Sequence, residues 1–595
     1  MSNNGYEIQP WSLEDLYSGF DGPELESAFD ELEQKVEDFE DYRDQLTEDI
    51  DQAQFRTLMG EYEAIRRLLS RVGAYASLRF AEDTQNQRAQ SFMASVRERS
   101  AEIENRTLFF KLWWKGLEPE AAERLLEAAG DYRYWLYALR LQTPYTLSES
   151  EEKIINIKDV NGPQALVTLY DSITNRYSFE LEVEGEVKEL TRGQLSRYVR
   201  SPDPELRKAA YQELLRVYSD DGPILGQVYQ FIARDWYSEH VRLRDYESPI
   251  SVRNLANDVP DEVVAALLQA SRENADVFHR FFELKARWLG MEKLRRYDIY
   301  APVAESEAEY SYPEAIDLVL ESYRDFDHEV AELAERVFVE DHIDSEVRPG
   351  KRSGAFCATV TPDLTPYVLA SYHGEARDVA TLAHELGHAV HSMLADHHTA
   401  LTQHASLPLA ETASTFGEML LVDRMLAQDP DPDVQRDLLF RQLDDNYATI
   451  MRQAYFALFE REAHDAIHGG ASIDDISAIY MDNLAEQFGD VVEVPEEFKY
   501  EWVAIPHFYH SPFYVYAYAF GQLLVLSLYR RFQEEGEAFK PAYLDILRAG
   551  GSASPMETLS RADVDVSRPT FWQGGYDVIS DMLDRLEGVP APESP

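Results

Sequence analysis

Apolar residues recur at intervals of three and four along most of this chain. In "ELESAFDELEQKVEDFEDYRDQLTEDI" and "ERSAEIENRTLFFKLWWKGL" the spacing predicts long amphipathic helices, and from about residue 23 into the 140s it predicts an N-terminal helical bundle. The period changes to two in "NRYSFELEVEGEVKELT", where Tyr177, Phe179, Leu181 and Val183 alternate with polar residues. Glu184 and Gly185 mark the turn of a hairpin there. Helical spacing resumes after "SPDPEL", so a domain boundary is expected between Thr191 and Pro202. The expected division is a helical N-terminal domain over 1–195, with the hairpin near its end, and a second domain over 196–595.

A second extended stretch, "SGAFCATVTPDLTPYVLASYHG", reads as two strands joined by a loop and runs directly into "TLAHELGHAVH". Leu382, Leu386, Val390 and Met393 form an apolar stripe at helical spacing, so His384 and His388 leave one helix face one turn apart. Glu385 is displaced by about 100° from His384, within reach of a water beside a metal without being a ligand itself. A chance His-Glu-x-x-His in a chain of this composition arises on the order of a few per cent of the time, so a third ligand is needed to give the motif weight. "LPLAETASTFGEML" offers Glu411 at the expected start of a second helix, after Pro408. Two imidazoles and one carboxylate, with a fourth position left open, is the donor set of a catalytic zinc; structural sites fill all four positions with Cys and His. Manganese and cobalt accept the same donors. His391 shares the helix face, but three ligands seldom converge from one helix, so it is expected in the core or in support. Glu418 stands seven residues beyond Glu411, where it can hold a ligand histidine by its second N–H. His397, His398 and His404 read as loop or surface residues, and Cys357 as a small apolar one. The stretch "AQDPDPDVQ" reads as a turn, and "GVPAPESP" as a loosely held end.

Composition narrows the choice of function. The chain has 595 residues and a formal net charge of −53, from 56 basic and 109 acidic residues. Such a charge repels nucleic acid and anionic lipid. The acids are spread along the whole chain and Arg outnumbers Lys, a pattern expected of a solvated surface adapted to salt. A single cysteine excludes an internal disulfide and a cysteine metal cluster and fits a reducing cytoplasm. The start lacks a basic segment followed by an apolar one, and no run of about 18 apolar residues occurs, so neither secretion nor a membrane span is expected.

These residues resemble the oligoendopeptidase F family, within the thimet oligopeptidase group of zinc metallopeptidases. The resemblance rests on "HELGHAVH" with "AETASTFGE", and also on "WSLEDLYSGF", "RYDIYAP", "GKRSGAF", "TPYVLASYHGEARDVA" and "PHFYHSPFYVYAYAFG", which span Trp11 to Gly521. It implies a mostly α-helical body with a deep substrate channel, small β-hairpin elements next to the metal-binding helix, and short peptides as substrates. It also implies one zinc per chain held by His384, His388 and Glu411, with Glu385 as general base. By the same resemblance His507, Tyr509, Tyr514 and Tyr516 line the cleft and support the oxyanion; their aromatic spacing alone reads as helix core. Phe356 and Ser371 depart from the family, which often has Tyr and Asn there.

The expected activity is therefore endopeptidase hydrolysis of short peptides, in which zinc polarises the carbonyl and Glu385 takes the proton of water. Two alternatives share the motif. One is a carboxypeptidase or dipeptidyl carboxypeptidase on a similar scaffold; the other is a peptide-binding protein with a structural zinc, against which the intact Glu385 argues.

The charge makes its own prediction. Distributed like charges destabilise a compact state, and the Debye length falls from about 10 Å at 0.1 M salt to about 3 Å at 1 M. The thermal unfolding midpoint is expected to rise between about 0.1 M and about 3 M KCl. A midpoint that stays flat or falls would show that the acidic surface is not a salt adaptation.

Overall fold

A computed structural model describes residues 5–303, 308–428 and 431–591. As the periodicity predicts, the chain is mostly helical, with three small sheets among the described residues. It divides into two compact units. The first comprises Met1–Thr143, Ala308–Gln428 and Arg531–Asp565; the second comprises Pro144–Glu307, Asp429–Arg530 and Val566–Pro595. The division at residue 195 read from the sequence falls inside the second unit.

In the first unit, helix Pro23–Glu40 buries Leu25, Ala28, Leu32, Val36 and Phe39, a stripe spaced by three and four residues. It packs with helices Gln52–Glu82 and Gln87–Gly116 around Phe55, Tyr62, Phe110 and Trp114. Each such side chain contributes about 1.5–3 kcal/mol on burial. Asp51 and Asn86 cap the second and third helices by accepting the N–H groups of Ala53 and Gln54, and of Arg88 and Ala89. The indole N–H of Trp114, fully buried, donates to the Leu136 carbonyl at 2.7 Å, so the polar atom of this core residue is satisfied.

The second unit holds the predicted hairpin, strands Phe179–Val183 and Glu186–Leu190, paired antiparallel. Glu184 and Gly185 both have positive φ, 56° and 81°, the geometry a two-residue hairpin turn needs. Helix Pro432–Asn446 is capped by Asp431, while residues 429–430 of the predicted turn lie outside the described residues. The last helix runs from Pro569 to Gly588, and residues 592–595 of the predicted loose end also lie outside them.

Back in the first unit, three short strands lead into the His-Glu helix. Tyr367–Leu369 is central, parallel to Ile343–Asp344 and antiparallel to Phe356–Ala358, which forms an edge. Strand Ile343–Asp344, two residues long, has no readable period, and the sequence does not predict it. Buried Asp344 is neutralised by Arg348 and by Lys351, whose Nζ lies 2.9 Å from Oδ1 and also donates to the Ala370 carbonyl at 2.8 Å. The "GKRSGAF" stretch thus holds the sheet through a charge-assisted bond.

Helix Ala376–Leu394 packs against helix Ser414–Gln428 and the turn before it. The approach is closest at Gly387, where a Cβ would stand 2.5 Å from Ser414 Cα and 2.6 Å from the Ala413 carbonyl. Tyr323 donates its buried hydroxyl to the Ala383 carbonyl at 2.5 Å, and Tyr543 donates to the Thr412 carbonyl at 2.9 Å. Because the clash at Gly387 is with backbone, Gly387→Ala is expected to cost about 1–3 kcal/mol in denaturant unfolding. An unchanged midpoint would show that the two segments can separate freely.

Candidate active site

The His-Glu helix begins where Asp378 folds back to accept the N–H groups of His373, Gly374 and Glu375 at 2.7, 3.0 and 3.2 Å. Val379, Leu382, Ala383, Leu386, Ala389 and Val390 are buried, which leaves His384 and His388 on the remaining side with ring centroids 4.9 Å apart. Each points its Nε2 to Glu411 Oε2, at 3.4 Å in both cases. Glu411 lies not at a helix start, as its sequence context predicts, but in the turn three residues before helix Ser414–Gln428. The Ser414 hydroxyl donates to its carboxylate at 2.7 Å and holds it in place. On the other side of His384, Nδ1 meets Glu418 Oε1 at 2.5 Å.

Burial and charge compete at each group. Glu385 is only 6% exposed. Burial, with the negative charges of Glu411 and Glu418, raises its pKa to about 7 against the opposing pull of His384 and of the Cys357 backbone N–H. Burial disfavours protonated His384, but the Glu418 hydrogen bond and the charges of Glu418, Glu411 and Glu385 prevail and raise it to about 9. His388 is lowered, chiefly by burial. His391, also buried, falls to about 4, and its Nε2 has no hydrogen-bond partner.

This donor set suits a divalent metal. One ligand atom each from His384, His388 and Glu411 lies within 4.8 Å of the others. The 3.4 Å separations agree with the spacing of about 3.3 Å that tetrahedral bonds of about 2.0 Å require. Glu418 accepts the Nδ1–H of His384 and so directs Nε2 toward the donor set, where a metal would displace its proton.

A cavity of about 380 Å³ adjoins these residues, lined also by Phe356, Cys357, Thr359, His391, Gln403 and His404. Cys357 is half-buried on the edge strand, not a core residue, and serves Glu385 through its backbone. His404, read from the sequence as a surface residue, belongs to this cavity, and His398 bridges Asp131 and the Arg548 carbonyl at 2.8 and 2.9 Å. Nothing local distinguishes these histidines in the sequence; only the tertiary contacts do.

Residues 197–577 match the family model described as Peptidase family M3, and residues 113–179 match the model described as Oligopeptidase F. The chain belongs to peptidase family M3. Among relatives of this M3 peptidase, the Group B oligopeptidase PepB of Streptococcus agalactiae is 27% identical, with 99% of each chain covered. Oligopeptidase PepF of Bacillus subtilis is 25% identical, over 97% of this chain and 86% of the relative. In fold, the chain is similar to a putative peptidase from Chlamydophila abortus (TM-score 0.89, 24% identity, 98% and 100% coverage). It is also similar to oligoendopeptidase-F from Enterococcus faecium (TM-score 0.69, 23% identity, 95% and 99% coverage).

His507, Tyr509, Tyr514 and Tyr516 of this M3 peptidase lie in the second unit. Tyr509 is buried, stacked on Tyr170 at 3.8 Å, and donates to the Leu225 carbonyl at 3.4 Å. Tyr516 is also buried, and its hydroxyl accepts from Asn257 Nδ2 at 2.9 Å. His507 and Tyr514 are only partly buried, and burial lowers the His507 pKa, helped by the charges of His510 and Arg452. Beside them stands Tyr518, which the sequence reading passed over. Its hydroxyl is 3.4 Å from His507 Nε2 and its ring meets Tyr514 edge-on at 5.3 Å. The signal was present in the helical spacing, since Tyr518 follows Tyr514 by one turn.

The two carboxylates flanking His384 predict different losses. Glu411→Ala removes one donor of the candidate set and is expected to strip the purified protein of metal. Glu418→Ala removes only the support and should weaken metal affinity by about 10- to 100-fold, measured by chelator competition. Full metal retention by Glu411→Ala would move the ligand role to Glu418.

Proposed function

We propose that this M3 peptidase is a zinc-dependent endopeptidase that cuts internal bonds of short oligopeptides, with one zinc per chain. The observation that carries the reading is the His384, His388 and Glu411 donor set with the buried carboxylate of Glu385 beside it. His384, His388 and Glu411 would hold the zinc, which when bound would supply Lewis-acid chemistry for polarising the scissile carbonyl and acidifying water. Glu385 accepts the proton of the attacking water and delivers it to the leaving amine. Glu418 keeps His384 oriented through Nδ1. The edge strand Phe356–Ala358 gives a substrate an extended backbone to lie along, which favours affinity with little sequence preference.

By family resemblance His507 and the tyrosines support the oxyanion. Tyr514 and Tyr518 have the accessible hydroxyls of that group, whereas Tyr509 and Tyr516 anchor the segment that carries them. The single cysteine and the net charge of −53 support a reducing, salt-rich cytoplasm as its location. Among the described residues no helix is long and apolar enough to cross a membrane.

Glu385→Gln is expected to keep its metal and lose turnover by about 10²- to 10⁴-fold. Digestion of quenched peptides of about 5 to 20 residues, with mass analysis of products, should show internal cleavage and leave folded proteins intact. Release of C-terminal residues or dipeptides alone would instead identify a carboxypeptidase. Near wild-type turnover in metal-loaded Glu385→Gln would remove Glu385 as the base.

A further inference from the structure

A cavity of about 610 Å³ in the second unit is lined by Arg192, Arg197, Arg200 and Arg452, together with Tyr300 and His507. We propose that it is a carboxylate-binding site that holds the C-terminal carboxylate of the peptide substrate. The assignment rests on the peptidase reading above, but the binding it predicts can be measured without hydrolysis.

The argument begins with charge balance. Acids outnumber bases by 109 to 56 in this chain, so several guanidinium groups gathered on one lining with a single acid among them run against the composition. Some arginines elsewhere pair with acids, as Arg207 does with Asp298 and Arg244 with Glu152 and Glu239, while others, such as Arg71 and Arg124, donate to backbone carbonyls; what sets this cavity apart is that several guanidinium groups gather on one lining. Arg197, Arg200 and Arg452 have no ion-pair partner among the described residues, and Arg192 donates only to the Tyr218 hydroxyl and the Ala504 carbonyl, both at 2.8 Å. The one acid in the lining, Glu501, has its oxygens bonded to other groups, although its charge also acts on Arg452. Its Oε1 takes Arg296 at 2.6 Å and its Oε2 takes the Tyr480 hydroxyl at 2.9 Å. Asp444, whose charge Arg200 also senses, gives both oxygens to Lys285 at 2.7 and 2.8 Å.

Two of the cations share one aromatic ring. The guanidinium carbons of Arg200 and Arg452 lie 5.6 and 5.9 Å from the Tyr300 centroid, and Arg452 Nη1 is 3.3 Å from the Tyr300 hydroxyl. Arg452 Nε is buried with no acceptor, as is the amide oxygen of neighbouring Gln453 with no donor. A π-helical turn, Tyr447–Met451, leads into Arg452, so the regular helix is interrupted at the point that sets this side chain. Such turns are frequent at functional sites. A guanidinium cannot shed its proton to relieve the repulsion, and its planar fork matches the two oxygens of a carboxylate. Arg197 and Arg200 are exposed and Arg452 is half-buried, an order that draws an anion inward from an open rim. Free inorganic anions share this chemistry; a peptide carboxylate is favoured because the cavity has room for several residues' worth of atoms and His507 lines it too.

The test compares an N-acetylated tetrapeptide bearing a free C-terminal carboxylate with its C-terminal amide. Binding to the full-length Glu385→Gln protein is measured by calorimetry at constant ionic strength, with mass analysis verifying that the peptide stays intact. The acid is expected to bind about 10- to 100-fold more tightly than the amide, since charge-assisted pairs to a guanidinium are strong. Arg452→Gln should abolish the difference while leaving amide binding in place; Arg452→Lys, which keeps charge but loses the fork, should retain only part of it. Arg200→Gln, at the exposed rim, should narrow the ratio even if Arg452→Gln fails to fold. Equal binding of acid and amide overturns the proposal. So does Arg452-dependent binding of phosphate or chloride in a protein that does not tell the two peptides apart. Failure of the peptidase reading shows separately, as wild-type protein that binds the acid peptide but cleaves nothing.

Discussion

Gly387 lacks a side chain, and the backbone at Ala413 and Ser414 occupies the space a methyl group would take. That contact sets where the turn carrying Glu411 and the helix carrying Glu418 meet the His-Glu helix. With the two segments at this distance, Glu411 reaches the Nε2 atoms of both histidines while Glu418, two turns further along, reaches Nδ1 of His384. An approach looser by the radius of a methyl group would withdraw both carboxylates together. Tyr323 and Tyr543 reinforce the arrangement from either side by tying the Ala383 and Thr412 carbonyls to buried hydroxyls. The chemistry thus depends on packing before it depends on charge: a histidine's protonated nitrogen is chosen by the partner it meets, and the helix contact chooses the partner.

The same packing sets the three neighbouring carboxylates apart. Glu385, Glu411 and Glu418 are alike in chemistry. Glu418 carries a histidine hydrogen bond and Glu411 a serine hydroxyl, and their side chains are 24% and 46% exposed. Glu385 is buried against the edge strand and has the Cys357 N–H to favour its charge, too little to offset desolvation and two like charges. Its proton affinity is therefore raised by position alone.

Periodic features of this molecule were legible in the sequence. The helix at Pro23–Glu40, the hairpin at Phe179–Leu190 with its Glu-Gly turn, and the His-Glu helix all follow from spacing that neighbouring residues supply. Pieces that depend on distant residues were not. Strand Ile343–Asp344 is too short for a period, and Glu411 sits in a turn because Gly387, far away in sequence, admits the chain there. The candidate ligands could be named from motif and resemblance, but not the reason they converge. The arginine cavity was invisible for the same cause. Arg192 and Arg200 are far from Arg452 in sequence, and their gathering on one lining whose nearby acids are bonded to other groups is a three-dimensional fact in a chain where acids are everywhere in sequence.

The charge of −53 also acts differently at different depths. Exposed pairs such as Arg66–Glu104 and Arg561–Glu557 are worth about 0–1 kcal/mol each and are weakened by salt, so they do little to hold an acidic surface together. Buried pairs are another matter. Arg207–Asp298, Lys285–Asp444 and Lys351–Asp344 each involve at least one side chain with almost no exposure. Removing one partner there leaves an uncompensated charge, at a cost of about 3–5 kcal/mol that salt barely screens. Concentrated salt thus relieves repulsion on the outside without loosening the pairs within. The metal-candidate residues, held by short hydrogen bonds between partly buried groups, belong to the second class. An acidic surface and a finely placed set of carboxylates can therefore coexist in one chain, because the ions that screen the first do not reach the second.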